Sequence, residues 1–259
     1  VNVFESNGVS LVYEEFGEGE PLLLLHGLTG NRHMFDEDVN VFRKYFRTIV
    51  LDARGHGDSD KPVAYTLDDH IADVLRLLDH LEIDASYLIG VSMGSYIAQG
   101  VAIASPERVK QMILVATKPE GKTSSLQALF LKYQNQLEGL SFSQKVMKVS
   151  PYMFHDLGAI GEWSKEAAKK SSPLQADQIV AANAALEGFD FRHDLHLVTA
   201  KTLVISGNHD ELNPPEVGRE TARLIPHATF VEFNQSGHAP NVEQHLLYMD
   251  FVLEFLNKK

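Results

Sequence analysis

The chain has 259 residues, 44% of them hydrophobic and 22% charged, enough for a sizeable core in one unit of about 250 residues of the kind common among α/β proteins. Its net charge is −12, which repels phosphate backbones and anionic lipid, so neither nucleic acid nor a membrane surface is an expected partner. There is no cysteine, which removes disulfides, thiolate zinc sites and a cysteine nucleophile from consideration.

The first residues, VNVFESNG, carry neither a basic start nor a long apolar segment, and the longest apolar run, PLLLLHG, is far too short for a bilayer. A cytoplasmic location is the resulting expectation. Asn7-Gly8 is a hairpin turn signal, and the alternation in SLVYEEF (10–16) predicts a strand after it. Pro21 then opens LLLLH (22–26), a continuous apolar run of the kind found in strands buried on both faces. FRTIVLD (46–52), SYLIGVS (86–92), RVKQMILVAT (108–117), TLVISG (202–207) and ATFVEF (228–233) repeat that character.

Helical patterns fall between these runs. Leu67, Ile71, Val74, Leu78 and Leu81 recur at spacings of four and three, which puts them on one helical face, and Thr66 with Asp69 makes a capping box at its start. MGSYIAQGVAIAS, after Ser92, suits a small-residue helix packed close to a sheet. In the last segment Val242, Leu246, Met249, Leu253 and Leu256 form one apolar stripe. Strands alternating with helices predict a mostly parallel sheet covered on both faces.

Residues 118–195 break the rhythm. They hold no long buried strand but helical patterns with scattered large apolar residues, among them Phe130, Tyr133, Phe142, Met147, Tyr152, Met153, Phe154 and Trp163, and two prolines, Pro151 and Pro173, that mark boundaries. The expected organisation is a core of 1–117 and 196–259 with a helical insertion, 118–195, entering past a strand's C-terminal end, where open α/β sheets bind ligands.

Gly90-Val-Ser92-Met-Gly94 lies where a strand ends and a helix begins. A Gly/Ser turn without chemistry is the plainer reading of the pentapeptide, but G-x-S-x-G between strand and helix is the nucleophile elbow: small flanking residues let the two elements close up while the serine hydroxyl is left exposed. A serine needs a base, and where a nucleophile elbow supplies the serine the partners follow it in the order acid, then histidine, which selects among the twelve histidines. His238, just beyond the last strand in the loop SGHAP, fits; His227 precedes its strand and His245 falls in the last helix. The acid comes from ISGNHDELNPP, where Asp210 stands at the first bend and Glu211 follows it; a helix cap before Pro214-Pro215 is the alternative role for Asp210. The N–H of Met93, next to the nucleophile, and that of Leu28 in the loop His26-Gly27-Leu28-Thr29-Gly30 are the candidate oxyanion donors, with His26 shaping that loop.

LLLLHGLTG, LDARGHGDSDKP, LIGVSMGS, ISGNHDELNPP and NQSGHAPNVEQ, in this order, resemble the successive landmarks of the α/β-hydrolase superfamily over nearly the whole chain outside the insertion. The resemblance implies the α/β-hydrolase fold with residues 118–195 as its helical cap, a catalytic Ser92, Asp210 and His238, no metal or organic cofactor, and a loop-shaping role for Asp52, Arg54, Gly55, Gly57 and Ser59. It points to a serine hydrolase of small carboxylic esters or lactones, similar to small carboxylesterases and enol-lactonases. Hydrolytic carbon–carbon cleavage of the meta-cleavage product hydrolase type, a menaquinone-pathway type of lyase, perhydrolase activity and a slow-turnover ligand receptor are further activities of the same fold. Ser92 sets the chain apart from relatives with an aspartate nucleophile, and Met93 from the proline iminopeptidases, which carry tryptophan there. An anionic substrate would need a cation inside, for which Arg192 is the candidate.

Overall fold

A computed structural model describes residues 1–257. In chain order it contains β1 (Asn2–Ser6), β2 (Val9–Phe16), β3 (Pro21–Leu25), α1 (Asp36–Phe42), β4 (Arg47–Leu51), α2 (Leu67–His80), β5 (Ser86–Val91), α3 (Met93–Ala104) and β6 (Val109–Val115). There follow β7 (Glu120–Gly121), α4 (Ser125–Lys132), α5 (Gln134–Leu137), α6 (Phe142–Met153), α7 (Leu157–Ala168), α8 (Ala176–Ala184) and β8 (Phe189–Asp190). The chain closes with β9 (Lys201–Gly207), α9 (Pro215–Leu224), β10 (Ala228–Phe233), α10 (Pro240–Glu243) and α11 (His245–Phe255).

Eight strands form one sheet in the order β1-β2-β4-β3-β5-β6-β9-β10. The β1–β2 and β2–β4 pairs are antiparallel and the other five are parallel. Asn7 and Gly8 both take positive φ, 52° and 78°, which makes the two-residue turn that Asn-Gly favours.

The apolar runs are continuous because both faces of the sheet are covered. Leu23 and Leu25 join the apolar layer under α2 and α3, while Leu22 and Leu24 join the layer under α1 and α11. All four leucines are at most 2% exposed. Burial of each contributes about 1.5–3 kcal/mol. Thr66 caps α2 as its sequence predicts, accepting the Asp69 N–H at 3.2 Å while the Asp69 carboxylate takes the Thr66 N–H at 2.9 Å.

Two expectations change. The C-terminal apolar stripe is interrupted at Gln244, whose side chain turns to accept from Gln235 N–H and the Ser236 hydroxyl, both at 3.0 Å. The break resets the helical phase, so Tyr248, Met249 and Val252 are buried and Leu246 is exposed. Pro151 is not a boundary but lies in the last turn of α6. Pro173 does lie between helices, in the segment joining α7 to α8. Among the described residues, no helix is long and apolar enough to cross a membrane.

Parallel strands place their outgoing loops at one edge. The turn after β3, the β5–α3 junction and the segments leaving β6, β9 and β10 therefore open together.

Candidate active site

Ser92 occupies the bend from β5 into α3 with φ 52° and ψ −115°, a backbone conformation that a side chain rarely adopts. The flanking glycines are needed for close approach. A Cβ on Gly94 would lie 2.0 Å from the Leu25 carbonyl oxygen, and one on Gly90 would lie 2.2 Å from that of Gly94. Ser92 N–H donates to the Val115 carbonyl of the next strand at 2.9 Å, and Ser95 Oγ donates to the Ser92 carbonyl at 2.6 Å. The strained residue is thus held from both sides.

The loops after β9 and β10 bring the other two polar residues to it. His238 Nε2 lies 2.8 Å from Ser92 Oγ, and His238 Nδ1 lies 2.7 Å from Asp210 Oδ2. With the Nδ1–H donating to Asp210, Nε2 is free to accept the serine proton. Asp210 is 2% exposed, and its second oxygen, Oδ1, accepts the N–H groups of Leu212 at 2.8 Å and Asn213 at 3.0 Å. The alternative role, a helix cap before Pro214-Pro215, is not the one it takes: α9 has no side-chain cap at its start, and Oδ1 instead closes the turn ahead of the helix while Oδ2 meets the histidine. Glu211 instead pairs with Lys132 and Tyr133. His238 is seated by its own N–H donating to the Met153 carbonyl at 2.7 Å, and by Glu243, which accepts the N–H groups of Gly237 and Ala239.

Leu28 belongs to a turn closed by Gly30 N–H to the Gly27 carbonyl at 3.0 Å. The turn lies against Ser92: a Cβ on Gly27 would meet Ser92 Cβ at 3.5 Å. Met93 opens α3, where first-turn N–H groups have no carbonyl of their own helix to bond. His26, beside the turn, is fully enclosed. Its Nε2 accepts the Ala53 N–H at 3.1 Å and its Nδ1 donates to the Gly27 carbonyl at 2.8 Å. Burial holds its pKa down, against the pull of Asp52.

The residues after β4 build a polar loop of their own. Asp52 pairs with Arg32 and accepts the N–H groups of Arg32 and Asp58, Arg54 pairs with Asp73 at 2.6 Å, and Ser59 Oγ donates to the Asp52 carbonyl at 2.6 Å.

A cavity of about 570 Å³ opens at Ser92 and His238. Met34, Phe142, Met153, Phe154 and Trp163 supply much of its apolar wall. The large residues of the 118–195 segment thus divide into two groups. Phe130, Tyr133 and Tyr152 pack with one another around Leu129 and Val149, and Met147 is exposed. Arg192 does not line the cavity; it pairs with Asp190 two residues away, at 2.8 Å from Nε. Both side chains are more than a third exposed. Among the described residues, no group of three or more histidine, aspartate or glutamate side chains is arranged to hold a metal ion.

Sequence reasoning missed Tyr96 and Asn213. Tyr96 is buried one helical turn after Ser92, and its hydroxyl lies beside Ser92, Ser125 and Asn213. Asn213 donates to it at 2.6 Å and to the Ala116 carbonyl at 2.7 Å. Burial pushes the phenol up to about 12, so it stays protonated. The i, i+4 spacing from Ser92 was a signal for Tyr96; nothing local marked Asn213.

The sequence profile of the alpha/beta hydrolase fold matches residues 20–244. The chain belongs to the alpha/beta hydrolase family. Within it, the chain is 30% identical over 241 residues to 3-oxoadipate enol-lactonase 2 of Acinetobacter baylyi, covering 91% of this chain and 89% of that protein. The enol-lactonase structure from Burkholderia xenovorans superposes with a TM-score of 0.83 at 27% identity, covering 99% of this chain and 100% of that one. A thermophilic esterase from Thermogutta terrifontis has a TM-score of 0.81 at 26% identity, covering 99% and 96%.

Proposed function

We propose that this protein is a serine hydrolase that cleaves a small carboxylic ester or lactone through an acyl-enzyme on Ser92. The observation that carries the reading is the continuous line from Asp210 Oδ2 through His238 to Ser92 Oγ, at 2.7 and 2.8 Å, with the serine on a strained bend facing the cavity. His238 Nε2 takes the hydroxyl proton as Ser92 Oγ attacks the substrate carbonyl. Asp210 fixes the tautomer and stabilises the imidazolium. The N–H groups of Leu28 and Met93 receive the developing oxyanion, each contributing about 3–4 kcal/mol to the transition state by analogy with measured donors. His238 then returns the proton to the leaving oxygen, and a water activated by the same ring releases the acid.

In this reading residues 118–195 are a cap over a core of 1–117 and 196–259, and the cap's apolar side chains shape the acyl or alcohol site. Similarity to an esterase and to enol-lactonases, across nearly the full chain, supports both ester and lactone substrates.

Treatment with a fluorophosphonate followed by peptide mass analysis is expected to find the adduct on Ser92. Ser92→Ala is expected to lower ester turnover by about four to six orders of magnitude. An unlabelled Ser92, or undiminished turnover by Ser92→Ala, overturns the reading. A panel of esters and lactones run beside vinylogous diketones tests the bond class, and preference for the diketone rejects ester hydrolysis.

A further inference from the structure

Acyl transfer at Ser92 has no use for a cation, yet one faces the cavity. Among the described residues lining it, Lys118 is the one lysine or arginine, and no aspartate or glutamate accompanies it. Lys118 lies three residues beyond Val115, the residue whose carbonyl holds Ser92 N–H, at the same edge of the sheet. Its own carbonyl accepts from Gln99 Nε2 of α3 at 3.1 Å, so its backbone is tied to the helix that starts at the nucleophile.

The ammonium lies over two aromatic rings, 5.8 Å from the Tyr96 centroid and 6.0 Å from that of Phe189. Among the described residues its hydrogen-bond partner is the Thr123 carbonyl, 3.4 Å away. Lys132 and Lys170, on the outside of the same segment, pair with Glu211 and Asp36; Lys118 has no such ion pair among the described residues. Glu120, the acid whose charge reaches it, turns a carboxylate oxygen to the Lys122 N–H at 2.9 Å.

Tyr96 joins this group to the reacting centre, with Lys118 over its ring and its hydroxyl beside Ser92. The hydroxyl-bearing Ser124 and Ser125 line the same cavity. An ammonium walled by apolar groups is poorly solvated, and a carboxylate brought to it there interacts more strongly than in water. Aromatic faces offset part of that cost but satisfy no hydrogen bond. On a chain of net charge −12, which repels anions at long range, a local cation is what an anionic ligand would require.

We propose that Lys118 binds a carboxylate of the substrate, so that the preferred ester or lactone is one that carries a free carboxylate a few bonds from the reacting carbonyl. The proposal rests on Ser92 hydrolysis as the reaction. Burial lowers the Lys118 pKa, and a bound carboxylate would oppose that shift as Glu120 does in part.

The test is the ratio of kcat/KM for mono-p-nitrophenyl glutarate to that for its neutral methyl ester. The wild type is expected to favour the anion at least ten-fold. Lys118→Met is expected to lower the ratio by about 10-fold to 100-fold, mainly through KM of the anion, the range for a hydrogen bond to a charged group. Lys118→Arg is expected to keep most of the preference. Because the ratio is internal to each preparation, partial misfolding of a variant cancels. Equal use of both esters by the wild type, or an unchanged ratio in Lys118→Met, overturns the proposal while leaving Ser92 hydrolysis standing. Titration of glutarate into Ser92→Ala, with and without Lys118→Met, keeps the two readings separable. Glutarate binding weakened at least ten-fold by the lysine change is expected; binding that ignores it, or none at all, counts against Lys118 whatever the fate of Ser92.

Discussion

The sheet and the segment between β7 and β8 are held together differently. Residues of β3, β5 and β6 are almost wholly enclosed, and the apolar layers on the two faces of the sheet draw on every large helix outside that segment. The helices α4–α8 bury far less: Leu131, Met147 and Val180 are more than half exposed, and α8 buries only two alanines. They are moored by polar contacts at a few points. Trp163 Nε1 donates to the Met34 carbonyl at 2.9 Å, Glu211 N–H to the Tyr152 carbonyl at 2.9 Å, and His238 N–H to that of Met153. Groups whose positions must hold to a few tenths of an ångström grow from the close-packed part, while residues that shape the cavity come largely from the part with little core of its own. Sites are commonly divided this way, a rigid scaffold carrying more adaptable walls.

A single methyl group at the elbow is the hardest test of this contrast. Gly94→Ala pushes a Cβ into the backbone of β3, and neither element can retreat inside the sheet. A loss of about 3 kcal/mol or more is expected, read as a collapse of the urea midpoint or failure to fold. A near-normal midpoint would mean that the packing of β3 on α3 yields more readily than its burial implies.

Acidification comes next, because the core rather than the helical segment holds a row of enclosed histidines: His26, His56 and His70. Burial lowers the pKa of each, that of His70 to about 3. The folded protein therefore refuses protons that the unfolded chain accepts near pH 6.5. Stability from this source is complete above that pH and is lost as the pH falls toward 3. Urea unfolding at pH 7, 6 and 5 should show falling stability, and His70→Asn should flatten the slope by up to about 1.4 kcal/mol per pH unit. An unaltered slope would acquit His70.

The smallest effect has the opposite sign. Gly161 lies within α7, where an added Cβ meets nothing within 4 Å. Gly161→Ala should stabilise by about 0.5–1 kcal/mol through helix propensity, seen as a modest rise in melting temperature. Destabilisation would mean that the helical segment is more tightly fitted than the exposure of its apolar residues suggests.

Legibility in the sequence followed the same division. Every long buried strand was readable from its apolar run, with ends shifted by a residue or two, because burial on both faces leaves no polar alternation to confuse the pattern. The α2 cap was readable from Thr66 and Asp69 because a capping box is local. Gln244 was not marked as a helix break, since its reason lies in the loop before His238 that its side chain serves. Arg192 was singled out by charge alone, and the structure turns it to Asp190, away from the cavity.

The sequence by itself determined the alternation of strands and helices, the elbow at Ser92, and the order in which Asp210 and His238 follow. Each depends on near neighbours in the chain or on the steric demands of one bend. Only the tertiary structure decided that the loops carrying Asp210 and His238 meet Ser92, more than a hundred residues earlier in the chain, within hydrogen-bonding distance, that Tyr96 and Asn213 stand behind the serine, and that Lys118 rather than Arg192 faces the cavity. Parallel strand order brings those loops to one edge, and the direction of a side chain there is set by the packing of distant elements, which no local pattern records.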